Sequence, residues 1–196
     1  MYYTDFAQIP RDKYSIVLAD PAWTYDDKCN AGKRGAVHKY KLMTPLELRQ
    51  MPVAEIASPD SICFMWATYP KLPEALHLMR VWGFEYKTVA FTWVKRNKIS
   101  PSWFWGMGRW TRANAEIVLL GVRGKPTRAS AAVHQIIDAP IAGHSRKPSE
   151  TRDRIVTLMG DIPRIELFAR GDVQGWDAWG NTPNYEDSND STPVLK

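Results

Sequence analysis

The chain has 196 residues, a net charge of +5 and 44% hydrophobic residues, the profile of one ordinary globular domain. No apolar run approaches the roughly 20 residues that span a bilayer, and the first ten residues lack the basic-then-apolar pattern of a secretory leader, so a cytoplasmic setting is expected. Cys29 and Cys63, the two cysteines, show no metal-ligand spacing and fit reduced thiols. Nine tryptophans on a basic chain suit a nucleic-acid partner, since cations neutralise phosphates and flat rings stack on bases. The same numbers also suit a mildly basic protein whose tryptophans fill its core.

Tyr14 to Ala19 (YSIVLA) is a short apolar run of β-formers that stops at Asp20-Pro21, which predicts a buried strand with Asp20 at its carboxyl end. Residues 23–41 are polar and rich in lysine and read as a long loop. Thr44-Pro45-Leu46-Glu47 has the capping-box pattern with proline at the first helical position, so a helix should begin there. Ser61 to Trp66 is a second buried strand. Leu72 to Trp82 has helical apolar spacing and ends at Gly83, and Phe84 to Val94 is a third strand.

Lys95 to Thr111 reads as irregular, Glu116 to Val122 as a strand, and Arg123 to Lys147 as a loop region with room for a short helix. Ser149 to Met159 is a helix before Gly160, and Arg164 to Ala169 is the last strand. The polar tail 182–196 is expected to be disordered, leaving a single domain over 1–181. Strands alternating with helices predict an α/β fold with a mostly parallel sheet flanked by helices. Ligands in such sheets sit beyond the carboxyl ends of the strands. Asp20 and Arg170 lie at two such ends.

The exocyclic amine of adenine is a poor nucleophile because its lone pair is delocalised into the ring. A carboxylate and a backbone carbonyl that accept its two N–H groups localise that pair. A proline after the carboxylate fixes the turn, and an aromatic ring holds the base by stacking. Asp20, the Pro21 carbonyl and Trp23 match these needs, although Asp-Pro after a strand is also an ordinary turn. The segment from Lys95 to Arg128 holds eight basic residues and one acid, Glu116, together with Trp103, Trp105 and Trp110. It is the best candidate for a nucleic-acid surface, with Lys95, Trp110 and Arg112 as substrate contacts; the plainer reading is a solvated basic loop with inward tryptophans and a structural Glu116. His38, His77, His134 and His144 show no metal spacing, the zinc-deaminase pattern is absent, and no P-loop is present. Gly106-x-Gly108 is too little for a dinucleotide fingerprint.

Four blocks in fixed order carry a resemblance to a known family: IVLADPAW at 16–23, FTWVK at 91–95, GRWTRANAEIVLLGVRG at 108–124, and HSRKP at 144–148 leading to IELFAR at 165–170 and GWDAWGN at 175–181. From Tyr14 to Asn181 the chain resembles the MT-A (seventy-kilodalton-subunit) family of N(6)-adenine methyltransferases, and in its compact size the bacterial and phage DNA type. The resemblance implies a permuted Rossmann-like fold, catalytic strand before cofactor strand, with S-adenosylmethionine as methyl donor and adenine in DNA as substrate. Asp20, Pro21, Ala22 and Trp23 would form the catalytic motif, with Asp20 also near the methionyl part of the cofactor and Trp23 beside the base. Lys147 would pair with the cofactor carboxylate, Arg170 and Asn181 would hold the ribose hydroxyls, and Glu166 and Phe168 would shape the cleft. Tyr40 falls where the family carries an aromatic residue near the substrate. Ala22 departs from the family's Asp-Pro-Pro-Trp, restoring a backbone N–H. An RNA adenine methyltransferase and a non-catalytic nucleic-acid-binding partner of the same fold are the alternative readings.

Overall fold

The computed structural model describes residues 1–23, 43–108, 110–142 and 146–180. Eight strands form one sheet: β1 (Tyr2–Tyr3), β2 (Tyr14–Ala19), β3 (Ala57–Ala67), β4 (Glu85–Arg96), β5 (Glu116–Arg123), β6 (Ile136–Pro140), β7 (Arg164–Leu167) and β8 (Asp177–Trp179). Their order is β1-β8-β7-β2-β3-β5-β4-β6. β5 is antiparallel to both neighbours and every other pairing is parallel. Four helices, α1 (Pro45–Gln50), α2 (Val53–Ile56), α3 (Leu72–Val81) and α4 (Glu150–Met159), cover the sheet. This is the expected mostly parallel, helix-flanked sheet.

Strand alternation divides the core in two. Val17, Ala19 and Met65 face one side and pack with Leu48 of α1, Val53 of α2 and Leu78 of α3. Ile16, Leu18, Phe64 and Trp66 face the other and pack with Ile155 and Met159 of α4. β2 lies between β3 and β7, so the first long strand and a strand close to the far end of the described chain are neighbours. The chain leaves β2 towards helices on one face and enters β7 from a helix on the other. That reversal opens a crevice at the carboxyl ends of β2 and β7, the position where such sheets bind ligands.

The helix signals act as their chemistry dictates. Thr44 Oγ1 accepts from the Glu47 N–H at 3.2 Å and Glu47 Oε2 accepts from the Thr44 N–H at 2.7 Å, completing the capping box. Gly83 stops α3 in a left-handed conformation, with the Phe84 N–H reaching back to the Met79 carbonyl at 3.0 Å.

One expectation is overturned. Residues 123–147 hold a strand, β6, instead of a short helix. β6 is an edge strand paired only with β4, so Ile137 is buried while Ile136 is exposed, and its Asp138 and Pro140 hide the apolar pattern. The three-residue β8 and two-residue β1 are not evident in the sequence because strands so short have no period to read. The tail 182–196 lies outside the described residues.

Candidate active site

Alternation along the strands places the site. Asp20 follows Ile16 and Leu18 in period two, Glu116 precedes Val118, and Lys95 follows Phe91 and Trp93. All three therefore point to the α4 face, where their neighbours are buried. Because β5 runs antiparallel, its first residue, Glu116, lies at the same sheet edge as the last residues of β2, β3 and β4, and it pairs directly with Trp93. Lys147, just before α4, reaches down onto this edge.

The result is a chain of alternating charge. Lys147 Nζ donates to Asp20 Oδ2 at 2.9 Å and lies 3.3 Å from Glu116 Oε2, and Lys95 Nζ donates to Glu116 Oε1 at 2.5 Å. The Lys147 ammonium also sits 5.4 Å from the centre of the Trp66 ring, a cation–π contact. Burial opposes the charge on Lys147, but Asp20 and Glu116 outweigh it and hold its pKa above the ordinary lysine value. Burial likewise opposes the charge on Glu116, and Lys147 and Lys95 together hold its pKa below the ordinary carboxylate value. The two shifts agree: Lys147 and Glu116 each hold the other's charge at neutral pH, in a partly desolvated crevice.

The Asp20-Pro21-Ala22-Trp23 segment itself forms a tight turn. The Pro21 carbonyl accepts the Trp23 N–H at 2.8 Å and the Ala22 carbonyl accepts the Met43 N–H at 3.3 Å. Trp23 is buried against the α1–α3 face, beside Pro45, Leu48 and His77, and its indole N–H has no partner among the described residues. It lines an open apolar pocket there. Beyond β7, Phe168 adopts φ +65°, unusual and costly for a bulky residue. Its ring turns to the α1–α3 face, parallel to Trp82 at 6.5 Å and edge-on to Trp179 at 5.4 Å. Arg170 follows at the crevice edge. Glu166 accepts two hydrogen bonds from Arg152 of α4, at 2.6 and 3.0 Å, so its carboxylate fastens α4 to β7. Tyr40 and Asn181 lie outside the described residues.

The basic segment from Lys95 to Arg128 does not form one surface. Residues 95–113 stand at the carboxyl edge beside Asp20. β5 then carries the chain across the sheet, and Lys125 and Arg128 emerge at the opposite edge, where the Lys125 N–H bonds Asp60 at 2.6 Å. Nor do all its tryptophans pack inward: Trp105 is 61% and Trp110 93% exposed. Lys95, expected to touch substrate, donates to Glu116. Two residues of the site are not evident as functional in the sequence. Glu116 stands out there only as the lone acid in a basic stretch, and Asn114, whose side chain bonds the Lys95 N–H and carbonyl at 2.9 Å each, gives no signal.

The MT-A70 family model matches residues 14–182, nearly all of the strands and the whole site. The chain belongs to the MT-A70 family. Among relatives, a Type II methyltransferase M.MunI from Mycoplasma sp. is 37% identical over 89% of this chain and 80% of its own length. The N(6)-adenosine-methyltransferase catalytic subunit METTL3 of Homo sapiens is 28% identical over 86% of this chain, and the N(6)-adenosine-methyltransferase MT-A70-like protein of Drosophila melanogaster 28% over 81%. The chain spans 28% and 24% of those two relatives. No helix among the described residues is long and apolar enough to cross a membrane.

Proposed function

We propose that this MT-A70 protein transfers a methyl group from S-adenosylmethionine to the N(6) amine of adenine in DNA. The observation that carries the reading is the contact between Asp20 and Lys147 at the mouth of the β2–β7 crevice, 2.9 Å long and 127 residues apart in sequence. The array suits the methionyl end of the cofactor: the Lys147 ammonium complements its carboxylate, and Asp20 complements its ammonium. Arg170 and Asn181 are the proposed ribose contacts, and Glu166 and Phe168 support the cleft walls. S-adenosylmethionine supplies an electrophilic methyl group when bound.

The chain's own residues position the nucleophile. One oxygen of Asp20 accepts from Lys147, and the other can accept an N–H of the adenine amine. The Pro21 carbonyl serves as second acceptor; its bond to Trp23 uses one of its two lone pairs. Localising the amine's lone pair in this way makes it nucleophilic without a strong base, and catalysis is positioning with no covalent enzyme intermediate. The methylated aminium is acidic and loses its proton readily. Tyr40 and Trp23 are assigned to the base, and Arg112 and Trp110 to the strand that carries it. A duplex substrate requires flipping of the target base, at a cost of a few kcal/mol.

A non-catalytic partner of the same fold has no need of the Asp20–Lys147–Glu116–Lys95 chain of contacts, which favours the enzyme. The test is transfer of labelled methyl to single-stranded DNA, duplex DNA and RNA, with the product identified by mass spectrometry. N(6)-methyladenine in DNA supports the reading. Methylation of RNA alone moves the assignment to the RNA enzyme, and no cofactor binding by calorimetry moves it to the partner.

A further inference from the structure

Between β4 and β5 the described residues 97–108 and 110–113 leave the carboxyl edge of the sheet as a protrusion. Its stem is built, not loose. The Asn97 N–H bonds the Ser102 carbonyl at 3.0 Å, the Phe104 N–H the Lys95 carbonyl at 2.9 Å, and the Gly106 N–H the Ala113 carbonyl at 2.7 Å. Asn114 ties both sides together by donating to the Lys95 and Phe104 carbonyls. Arg96 pairs with Asp138, donates to the Pro101 carbonyl and stacks 4.9 Å from the Trp103 ring. A side chain at Gly108 would overlap the Thr111 carbonyl, so the glycines of this segment serve its backbone turns.

On this fixed stem stand large apolar groups in water. Trp110 and Met107 are each 93% exposed and Trp105 is 61% exposed. Exposed flat rings carried on a hydrogen-bonded stem mark a contact surface. The charge around them selects the occupant: the described residues 97–108 and 110–113 hold Lys98 and Arg112 and no carboxylate. Rings plus cations without acids fit a polyanion that also offers flat faces, a strand with unstacked bases. The stem is continuous with the active site, since Lys95, clamped by Asn114, bonds Glu116, which bonds Lys147 beside Asp20.

We infer that Trp105 and Trp110 are stacking platforms for bases flanking the target adenine, so that the protrusion holds a locally unpaired strand while Asp20 takes the amine. This rests on the proposed function and adds the substrate's state: single-stranded or locally opened nucleic acid.

The test measures binding of the full chain to a fluorescein-labelled single-stranded DNA of about 20 nucleotides and to the matching duplex, across a salt series. Trp105→Ala and Trp110→Ala are each expected to weaken single-strand binding about 5- to 100-fold, the range for removing the ring beneath one stacked base. The salt slope should stay unchanged, because every cation that meets a phosphate is still present. Trp110→Phe should restore most of the affinity. Both residues are exposed, so cofactor affinity and circular dichroism should match the parent. Unchanged single-strand affinity in the double variant overturns the inference. So does a parent dimer that the double variant converts to a monomer with nucleic-acid affinity intact, which would make the surface a self-association face. Absence of methyl transfer by the parent strikes the proposed function instead, and leaves the binding result readable.

Discussion

Lys147 donates to Asp20 across 2.9 Å and stands 3.3 Å from Glu116, so a single ammonium bridges the carboxylate that ends β2 and the only acid of the basic segment. Removing it leaves two carboxylates facing each other in a partly desolvated crevice. Lys147→Met is therefore expected to weaken S-adenosylmethionine binding at least about tenfold and to destabilise the fold by about 3 kcal/mol, typical of a broken buried pair. Glu116→Gln should act more mildly on both. Calorimetry and thermal unfolding of the two variants check this; unchanged cofactor affinity in Lys147→Met would remove Lys147 from the site.

Ala22 stands where the family motif has a second proline. Its N–H makes no hydrogen bond among the described residues, so proline removes nothing from this turn. Ala22→Pro should fold, gain about 0.4–1 kcal/mol by restricting the unfolded chain, and retain methyl transfer. A fall in melting temperature would show that the turn here differs from the family's.

The split of the basic segment gives a paired prediction. Lys98→Ala with Arg112→Ala, at the Asp20 edge, should weaken DNA binding and flatten its salt dependence by about one unit of log–log slope for each phosphate that is no longer neutralised. Lys125→Ala with Arg128→Ala, at the far edge, should leave both nearly unchanged. Equal weakening by the two pairs would require nucleic acid to reach around the sheet.

Away from the site, Asp177 of β8 accepts from Lys13 at 2.7 Å and from the Tyr14 hydroxyl at 2.7 Å. Burial works against its charge, and Lys13, the Met1 ammonium and Tyr14 outweigh it, lowering its pKa to about 2. A depressed carboxylate contributes stability that is present above its unfolded pKa of about 3.9 and is lost as pH falls through the folded value. Asp177→Asn should therefore cost about 1–2 kcal/mol at pH 7, with the difference from the parent shrinking as pH falls from about 4 towards 2. Denaturant unfolding at several pH values measures it; a pH-independent difference would contradict the assignment.

Much of the fold is legible in the residues. Tyr14–Ala19 ends where its apolar run ends, and the capping box at Thr44 and the stop at Gly83 read directly, because those signals are local. The short strands are not legible: the two residues of β1 and three of β8 carry no period, and the edge strand β6 shows one wet face. Glu116 is hidden for a different reason. Its place in the site depends on β5 running antiparallel, which brings the start of that strand to the same sheet edge as the end of β2. Composition describes residues 95–128 as one basic surface, and only the path of β5 across the sheet divides it.

The central claim is that Asp20 positions the amine. The most direct measurement is single-turnover methyl transfer to DNA by the parent and by Asp20→Ala, at saturating S-adenosylmethionine. A drop of at least about 100-fold with DNA binding retained is expected, the usual cost of removing a preorganised polar partner of the reacting group. Equal incorporation by Asp20→Ala and the parent would contradict the account.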